Sequence, residues 1–310
     1  MKDRIVIKML NDAEAKGEIK PGKTTIIDIT SGNTGIAWGM VASSKGYKTI
    51  QIIPEGYSVE RRALMMAMGV EVVVTSKTAK LPDILSKYNE LLVKYGENGW
   101  TPNQMASPSN PAAHYETTAP EIWEQTQGKV DVLVAAYGTG GTISGISKYL
   151  REKNPDLLCI AVEPMEQSIL NGDEAADHGV QGTAPPFLPD NVDVGSIDEV
   201  VRCSTENAIK TAHELARRDG ICCGISSGSN VWAACQVAKR PEMAGKRIVT
   251  LLPSAAERYF STPLYKDLLE EAKNIKCTEI DKSYGQEGIN IRTFKQVKEA
   301  GLLKENFHVT

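Results

Sequence analysis

Two short loops made of glycines and hydroxyl residues constrain this chain more than anything else in it. One is Thr30-Ser31-Gly32-Asn33-Thr34-Gly35 and the other is Gly138-Thr139-Gly140-Gly141-Thr142. Each follows an apolar, strand-like run and opens a helical pattern. Such a turn leaves several backbone N–H groups free to point at an anion, and the helix dipole adds to the attraction. Two of them on alternating strand–helix units imply an α/β protein that binds one ligand with two anionic groups, or two ligands side by side.

The alternation runs through most of the 310 residues, a length that suits two lobes or one large α/β domain. Helices are predicted over 3–16 (Ile5, Met9 and Ala13 on one face, Gly17 as the stop), 34–45, 59–68, 81–95, 113–127, 143–152, 205–219 and 228–239. Strands are predicted over 24–29, 49–53, 71–74, 131–136, 157–162, 198–202 and 247–252. Strands separated by helices argue for a parallel sheet covered on both faces. The Pro/Ser/Asn-rich passage at 102–111 reads as a crossing between a smaller lobe over 1–102 and a larger one over 103–263. Residues 171–196, with Pro185, Pro186 and Pro189, read as a long loop. Residues 264–310 are charged and weakly periodic, which suggests a C-terminal helical extension.

A net charge of −4 gives no reason to expect nucleic acid or an anionic membrane as a partner. No apolar run approaches the ~20 residues of a membrane span, and no basic-then-apolar leader is seen. The six cysteines are scattered without a Cys-x-x-Cys, as expected of reduced thiols in the cytoplasm rather than of a disulfide framework or a zinc site. His213-Glu214-Leu215-Ala216-Arg217 starts like a zincin helix but has Arg where the second His must sit, so no metal is expected.

Three motif spellings fail on context. Gly17-Glu-Ile-Lys-Pro-Gly22-Lys23-Thr24 satisfies the Walker A pattern, yet a helix precedes it and a strand follows, the reverse of what a phosphate-binding helix start needs. Gly224-Ile-Ser226-Ser-Gly228 spells a nucleophile elbow, but the elbow needs an acid and then a His downstream. The one histidine after it is His308, in the tail. A Gly/Ser turn capping a helix near Ser229 is the plainer reading, with a serine hydrolase as the rival class. Residues 138–142 miss the dinucleotide fingerprint, because its third Gly would fall at Ile143, and so suit a single phosphate wrapped by N–H groups.

Taken together, Met1-Lys2-Asp3-Arg4-Ile5, the loop at 30–35, Asn110-Pro111 with His114-Tyr-Glu-Thr-Thr118, the loop at 138–142, Gly224-Ile-Ser-Ser-Gly228 and Glu257-Arg-Tyr-Phe-Ser-Thr262 fall in the order and spacing of cysteine synthases. From Lys2 to about Tyr265 the chain resembles O-acetylserine (thiol)lyase and its sister β-cyanoalanine synthase, which are fold-type II pyridoxal-phosphate enzymes. The resemblance implies a two-lobed α/β fold, tryptophan synthase β-like, with parallel sheets flanked by helices. It implies that Lys2 forms the Schiff base with pyridoxal 5'-phosphate and then shuttles the substrate α-proton. Asn33 would hydrogen-bond the cofactor ring oxygen. Thr30, Ser31, Gly32 and Thr34 would hold the substrate carboxylate, with help from Gln104. Gly138, Thr139, Gly140, Gly141 and Thr142 would take the cofactor phosphate, and Ser226 the pyridine nitrogen. A serine there draws less charge into the ring than an acid would, which favours β-elimination. The implied reaction is β-replacement: O-acetyl-L-serine loses acetate to give an aminoacrylate, and sulfide adds to form L-cysteine. Cysteine plus cyanide is the alternative pair of substrates, and a cytoplasmic homodimer is implied.

The chain departs from the family at several points. It starts where the family is already several dozen residues along, so Lys2 stands at a chain end, which is expected to fray unless tied down. The family's Gly-Ile-Gly-Ala-Gly-Phe is Gly182-Thr-Ala-Pro-Pro-Phe187, which cannot trace the same path without change. Gln-Gln-Phe is Asn103-Gln104-Met105, the Pro before the first loop is Ile29, Ser-Phe-Gly is Ser254-Ala255-Ala256, and Tyr57 stands where Met is common. The second class these departures support is a truncated, non-catalytic paralogue that keeps the fold.

Overall fold

A computed structural model of the chain describes residues 1–278 and 294–301. Residues Met1–Glu270 form one compact unit and Glu271–Thr310 a second. Within the first unit, two four-stranded sheets are parallel throughout. One has the order β3-β2-β1-β4, built from β1 (Thr25–Ile29), β2 (Lys48–Pro54), β3 (Glu71–Thr75) and β4 (Gly99–Trp100). The other has the order β7-β6-β5-β8, built from β5 (Val132–Ala136), β6 (Leu158–Pro164), β7 (Glu199–Cys203) and β8 (Ile248–Thr250). The central strands are buried along most of their length, as strands covered on both faces must be, and β1 and β5 read as apolar runs apart from Thr25 and Asp28.

The helices are α1 (Lys2–Ala15), α2 (Asn33–Ser44), α3 (Val59–Ala67), α4 (Leu81–Tyr95), α5 (Ser109–Ala113), α6 (Ala119–Gln125), α7 (Gly141–Lys153), α8 (Thr205–Asp219), α9 (Ile225–Ala238), α10 (Lys266–Lys273) and α11 (Phe294–Glu299). The chain start is tied down: α1 buries Ile5, Val6, Met9, Leu10 and Ala13 in one cluster with Trp38 and Val41 of α2 and Ala113 of α5. The face predicted from Ile5, Met9 and Ala13 is therefore the core face.

Three sequence expectations need correction. The helix expected over 113–127 is broken into α5, a π-helical turn at His114–Thr118 and α6. Pro120 lacks the N–H that an α-helix would have paired with Glu116, and the wider turn takes up the difference. The helix expected from 228 starts at Ile225 with Gly224 of the Gly/Ser turn as its cap, so Ser226 and Ser227 lie in its first turn. The crossing at 102–111 ends inside α5, and β4 is too short for a periodic signal. The predicted tail extension is helical at α10 and α11, while 279–293 and 302–310, with His308, lie outside the described residues.

Candidate active site

Parallel sheets bind ligands beyond the carboxyl ends of their strands, where the strand order reverses. The first sheet reverses between β1 and β4 and the second between β5 and β8. The loop at 30–35 follows β1 and the loop at 138–142 follows β5, so each lies at such a point.

In the first loop the Thr30 hydroxyl accepts the N–H groups of Gly32 (2.9 Å) and Gly35 (3.2 Å), which leaves its own hydrogen free to donate. Asn33 and Thr34 occupy the first turn of α2, where N–H groups have no partner within the helix. The Thr34 hydroxyl donates to Gln104 Oε1 at 2.9 Å. Gln104 Nε2 donates to Asp28 Oδ2 (3.0 Å) and to the Ile29 carbonyl (2.9 Å), so its amide orientation is fixed by two acceptors. Anion donors free in this loop are thus the hydroxyls of Thr30 and Ser31 and the N–H groups of Asn33 and Thr34.

In the second loop Gly140 takes a left-handed conformation (φ 88°) that caps α7, and the first N–H groups of α7 face outward from the helix end. Gly141 permits a close approach, since a Cβ there would lie 1.9 Å from Asn110 Oδ1. Asn110 Nδ2 donates to Thr139 Oγ1 (2.8 Å) and to the Gln104 carbonyl (2.7 Å), which joins the two loops through one buried side chain. His114 is buried, with Nδ1 2.9 Å from Thr118 Oγ1 and Nε2 3.1 Å from Thr142 Oγ1. Burial, reinforced by the charge of Lys2, pushes its pKa down to about 3, so it stays neutral and supports Thr142 without adding charge.

Lys2 opens α1 and points at the second loop, with Nζ 3.5 Å from Thr139 Oγ1, the outer limit of a hydrogen bond. Desolvation lowers its pKa to about 8, opposed by the charge of Asp28. The Asp28 carboxyl is buried and rises to about 7 for the same reason, opposed by hydrogen bonds from the Ile29 N–H and the Trp38 indole and by the charge of Lys2. The amine accordingly has a substantial neutral fraction at physiological pH, which a nucleophilic lysine requires.

Around this centre, Asn33 Nδ2 donates to Tyr259 OH (3.1 Å) and Asn33 Oδ1 accepts from Arg258 (3.1 Å). The Tyr259 hydroxyl also shares a hydrogen bond with Ser254 at 2.7 Å. Ser226 is buried in the first turn of α9 and its hydroxyl is hydrogen-bonded to no other described residue. The departing loop resolves its geometry by strain. Ala184 adopts φ 38° where the family has glycine, and it is held there by its N–H to the Tyr137 carbonyl (2.8 Å) and by Gln167 on its own carbonyl (2.6 Å).

The structure thus brings Lys2, the loop at 30–35, Gln104 and the loop at 138–142 into one linked set. Among the described residues no cluster of His, Cys, Asp or Glu could hold a metal, and no helix is long and apolar enough to cross a membrane. Sequence reasoning missed Asp28, Arg61, Asn110 as a link, and Tyr259. Asp28 was visible as the one charge in an apolar strand, and Asn110 as part of a quoted motif, but nothing local marked their partners.

An anion cradle on a helix start, a buried amine of lowered pKa against it and a second cradle linked to it through Gln104 and Asn110 are the parts expected of an enzyme that holds a phosphorylated carbonyl cofactor against a small anionic substrate. The profile of the family "Pyridoxal-phosphate dependent enzyme" matches residues 1–254. The chain is 44% identical over 285 residues to Cysteine synthase 3 of Caenorhabditis elegans, covering 92% of this chain and 84% of that protein. It is 40% identical over 279 residues to Cysteine synthase A of Escherichia coli (strain K12), covering 87% and 86%. The crystal structure of cysteine synthase from Entamoeba histolytica superposes with a TM-score of 0.82 at 38% identity, covering 90% of this chain and 80% of that one. The chain belongs to the cysteine synthase family of pyridoxal-phosphate-dependent enzymes.

The residues present fit that cofactor. A phosphate would find the free N–H groups of α7 and the hydroxyls of Thr139 and Thr142, a carbonyl would find the amine of Lys2, and the unspent hydroxyl of Ser226 would be free for a ring nitrogen.

Proposed function

We propose that the protein forms L-cysteine from O-acetyl-L-serine and sulfide by β-replacement. The two sheets would act as lobes over about 1–102 and 103–263 with the site in the cleft between them. The observation that carries the reading is Lys2, a buried amine with its pKa lowered to about 8, placed against the phosphate-type cradle.

When bound, pyridoxal phosphate supplies a carbonyl for the amine and a sink for the electron pair left at Cα. Residues 138–142 hold its phosphate by N–H groups and hydroxyls, with neutral His114 steadying Thr142. Ser226 would serve the ring nitrogen and Asn33 the ring oxygen. The substrate carboxylate sits on the hydroxyls of Thr30 and Ser31 and the N–H groups of Asn33 and Thr34, beside Gly32. Gln104 helps by holding Thr34 in place. Lys2 would take the α-proton, and the nearby Asp28 charge would steady the positive charge that Lys2 then carries. Acetate leaves from Cβ and sulfide adds there.

Cyanide as the nucleophile with cysteine as the donor is the second reading, carried by the resemblance to β-cyanoalanine synthase. A cytoplasmic homodimer is expected from the resemblance. Borohydride reduction of the cofactor-loaded protein, followed by peptide mapping, is expected to place the reduced cofactor on Lys2. A loaded protein without visible absorbance, or with the label elsewhere, would falsify the assignment. Comparing cysteine formation from O-acetylserine with sulfide release from cysteine plus cyanide separates the two nucleophiles.

A further inference from the structure

Arg61 of α3 is completely buried, yet among the described residues no carboxylate lies within ion-pair distance of it. Its guanidinium donates to the Ser31 carbonyl at 2.6 Å and to Gln181 Oε1 at 2.8 Å, while Nε has no partner. It lies over the Tyr259 ring at 4.5 Å from the centroid, and over that of Tyr57 at 5.8 Å. The neighbouring acid, Glu60, is spent on the N–H and hydroxyl of Ser261. Room for the arginine is made by Gly32, which has φ 120° and whose missing Cβ would lie 2.3 Å from Arg61 Cδ.

An enclosed charge without a counter-ion is expensive, and purely structural packing would be served as well by an apolar side chain of similar volume. What distinguishes Arg61 is where it touches. Its contacts run to the back of the first loop at Ser31, to the residue before Gly182 and to the tyrosine that holds Asn33. Nearby Arg258, on Asn33 Oδ1, adds a second positive charge rather than a negative one.

We propose that Arg61 is a positioning residue whose uncompensated charge is completed by the carboxylate of the amino-acid substrate on the 30–35 loop, while its two hydrogen bonds tie that loop to the Gly182 loop. The proposal rests on the reading of the 30–35 loop as the carboxylate site. Arg61 acts through Ser31 and its neighbours, so its removal weakens substrate binding and leaves the chemistry at Lys2 in place.

The test uses the cofactor-loaded protein, with propionate as a carboxylate probe and propionamide as its neutral isostere. Wild type is expected to melt higher in propionate than in propionamide, by an amount that grows with concentration. Arg61→Met is expected to fold with an unchanged or higher melting temperature, to lose the preference for propionate, and to raise the KM for O-acetylserine at least tenfold with kcat within about twofold. Arg61→Lys keeps a charge but not the fork, so it is expected to keep part of the propionate preference. Wild type that responds equally to both probes overturns the proposal together with the reading of the loop, whatever the variants do. Wild type and Arg61→Met that share the same propionate preference overturn the proposal alone. So does a variant that melts lower with KM unchanged.

Discussion

Replacing Asp28 by Asn probes the buried pair at the centre of the site. Asp28 is protonated more readily in the folded protein than in the unfolded chain, because burial raises its pKa from 3.8 to about 7. Between those values the native state binds the extra proton, so stability falls as pH rises. The contribution is fully present below about pH 3.8 and is lost by the time the pH passes about 7. The gap of about three pKa units, at about 1.36 kcal/mol each, amounts to about 4 kcal/mol across the window. Asn cannot ionise, so Asp28→Asn lacks this dependence. Other carboxylates titrate alike in both proteins and cancel in the difference.

Urea unfolding of the two proteins without cofactor, at pH 4.5, 5.5, 6.5 and 7.5, measures that difference. The stability of wild type relative to Asp28→Asn is expected to fall by about 3 kcal/mol from pH 4.5 to pH 7.5, the part of the 3.8–7 window that these measurements span. A difference that stays level to within about 1 kcal/mol would mean that Asp28 ionises alike in both states, and the account of the pair would be wrong. Lys2 supplies an independent readout. The Asp28 charge is the one influence that raises the Lys2 pKa, so in the variant the amine deprotonates below about 8. The pH profile of cofactor uptake is then expected to move to lower pH, whereas a merely structural Asp28 would lower uptake without moving the profile.

Gly141→Ala places a Cβ 1.9 Å from Asn110 Oδ1 in a packed region, and is expected to cost about 1–3 kcal/mol in thermal unfolding and to weaken cofactor retention. Tyr259→Phe removes hydrogen bonds to Asn33 and Ser254 and is expected to destabilise by about 1–3 kcal/mol, read by urea unfolding. His114 has its pKa depressed by burial to about 3, so its contribution is present above about 6.5 and lost as pH falls through about 3. His114→Gln is accordingly expected to take up one proton fewer on unfolding at pH 5, measured by calorimetry in buffers of different ionisation enthalpy.

Much of this architecture was legible because periodicity and glycine placement are local signals. The helices at 81–95 and 205–219 match α4 and α8 residue for residue, and the first and second loops fall where their composition put them. What was not legible depends on contacts between distant residues. The π-helical turn at 114–118 follows from Pro120 and from the pairing of His114 with Thr142. Strand β4 is defined only by its partner β1. Arg61 reads as an ordinary charged residue of an amphipathic helix, and only the folded chain shows Gly32 making space for it.

The strap from β4 to α5 links the two candidate anion loops, which lie on separate sheets. Among the described residues no side-chain hydrogen bond joins the two loops directly. Gln104 holds Thr34 with its amide oxygen and Asp28 with its amide nitrogen, and its backbone carbonyl accepts Asn110 and Asn191. Asn110 in turn holds Thr139, against which Lys2 is placed. A shift of the first loop would therefore reach the second through three buried hydrogen bonds, from Thr34 to Gln104 and through Asn110 to Thr139. Because these groups are buried, leaving any one of them unsatisfied costs about 1–3 kcal/mol. The strap thus favours a concerted adjustment of both loops over movement of one alone, and the amine that must meet both ligands stands at its end.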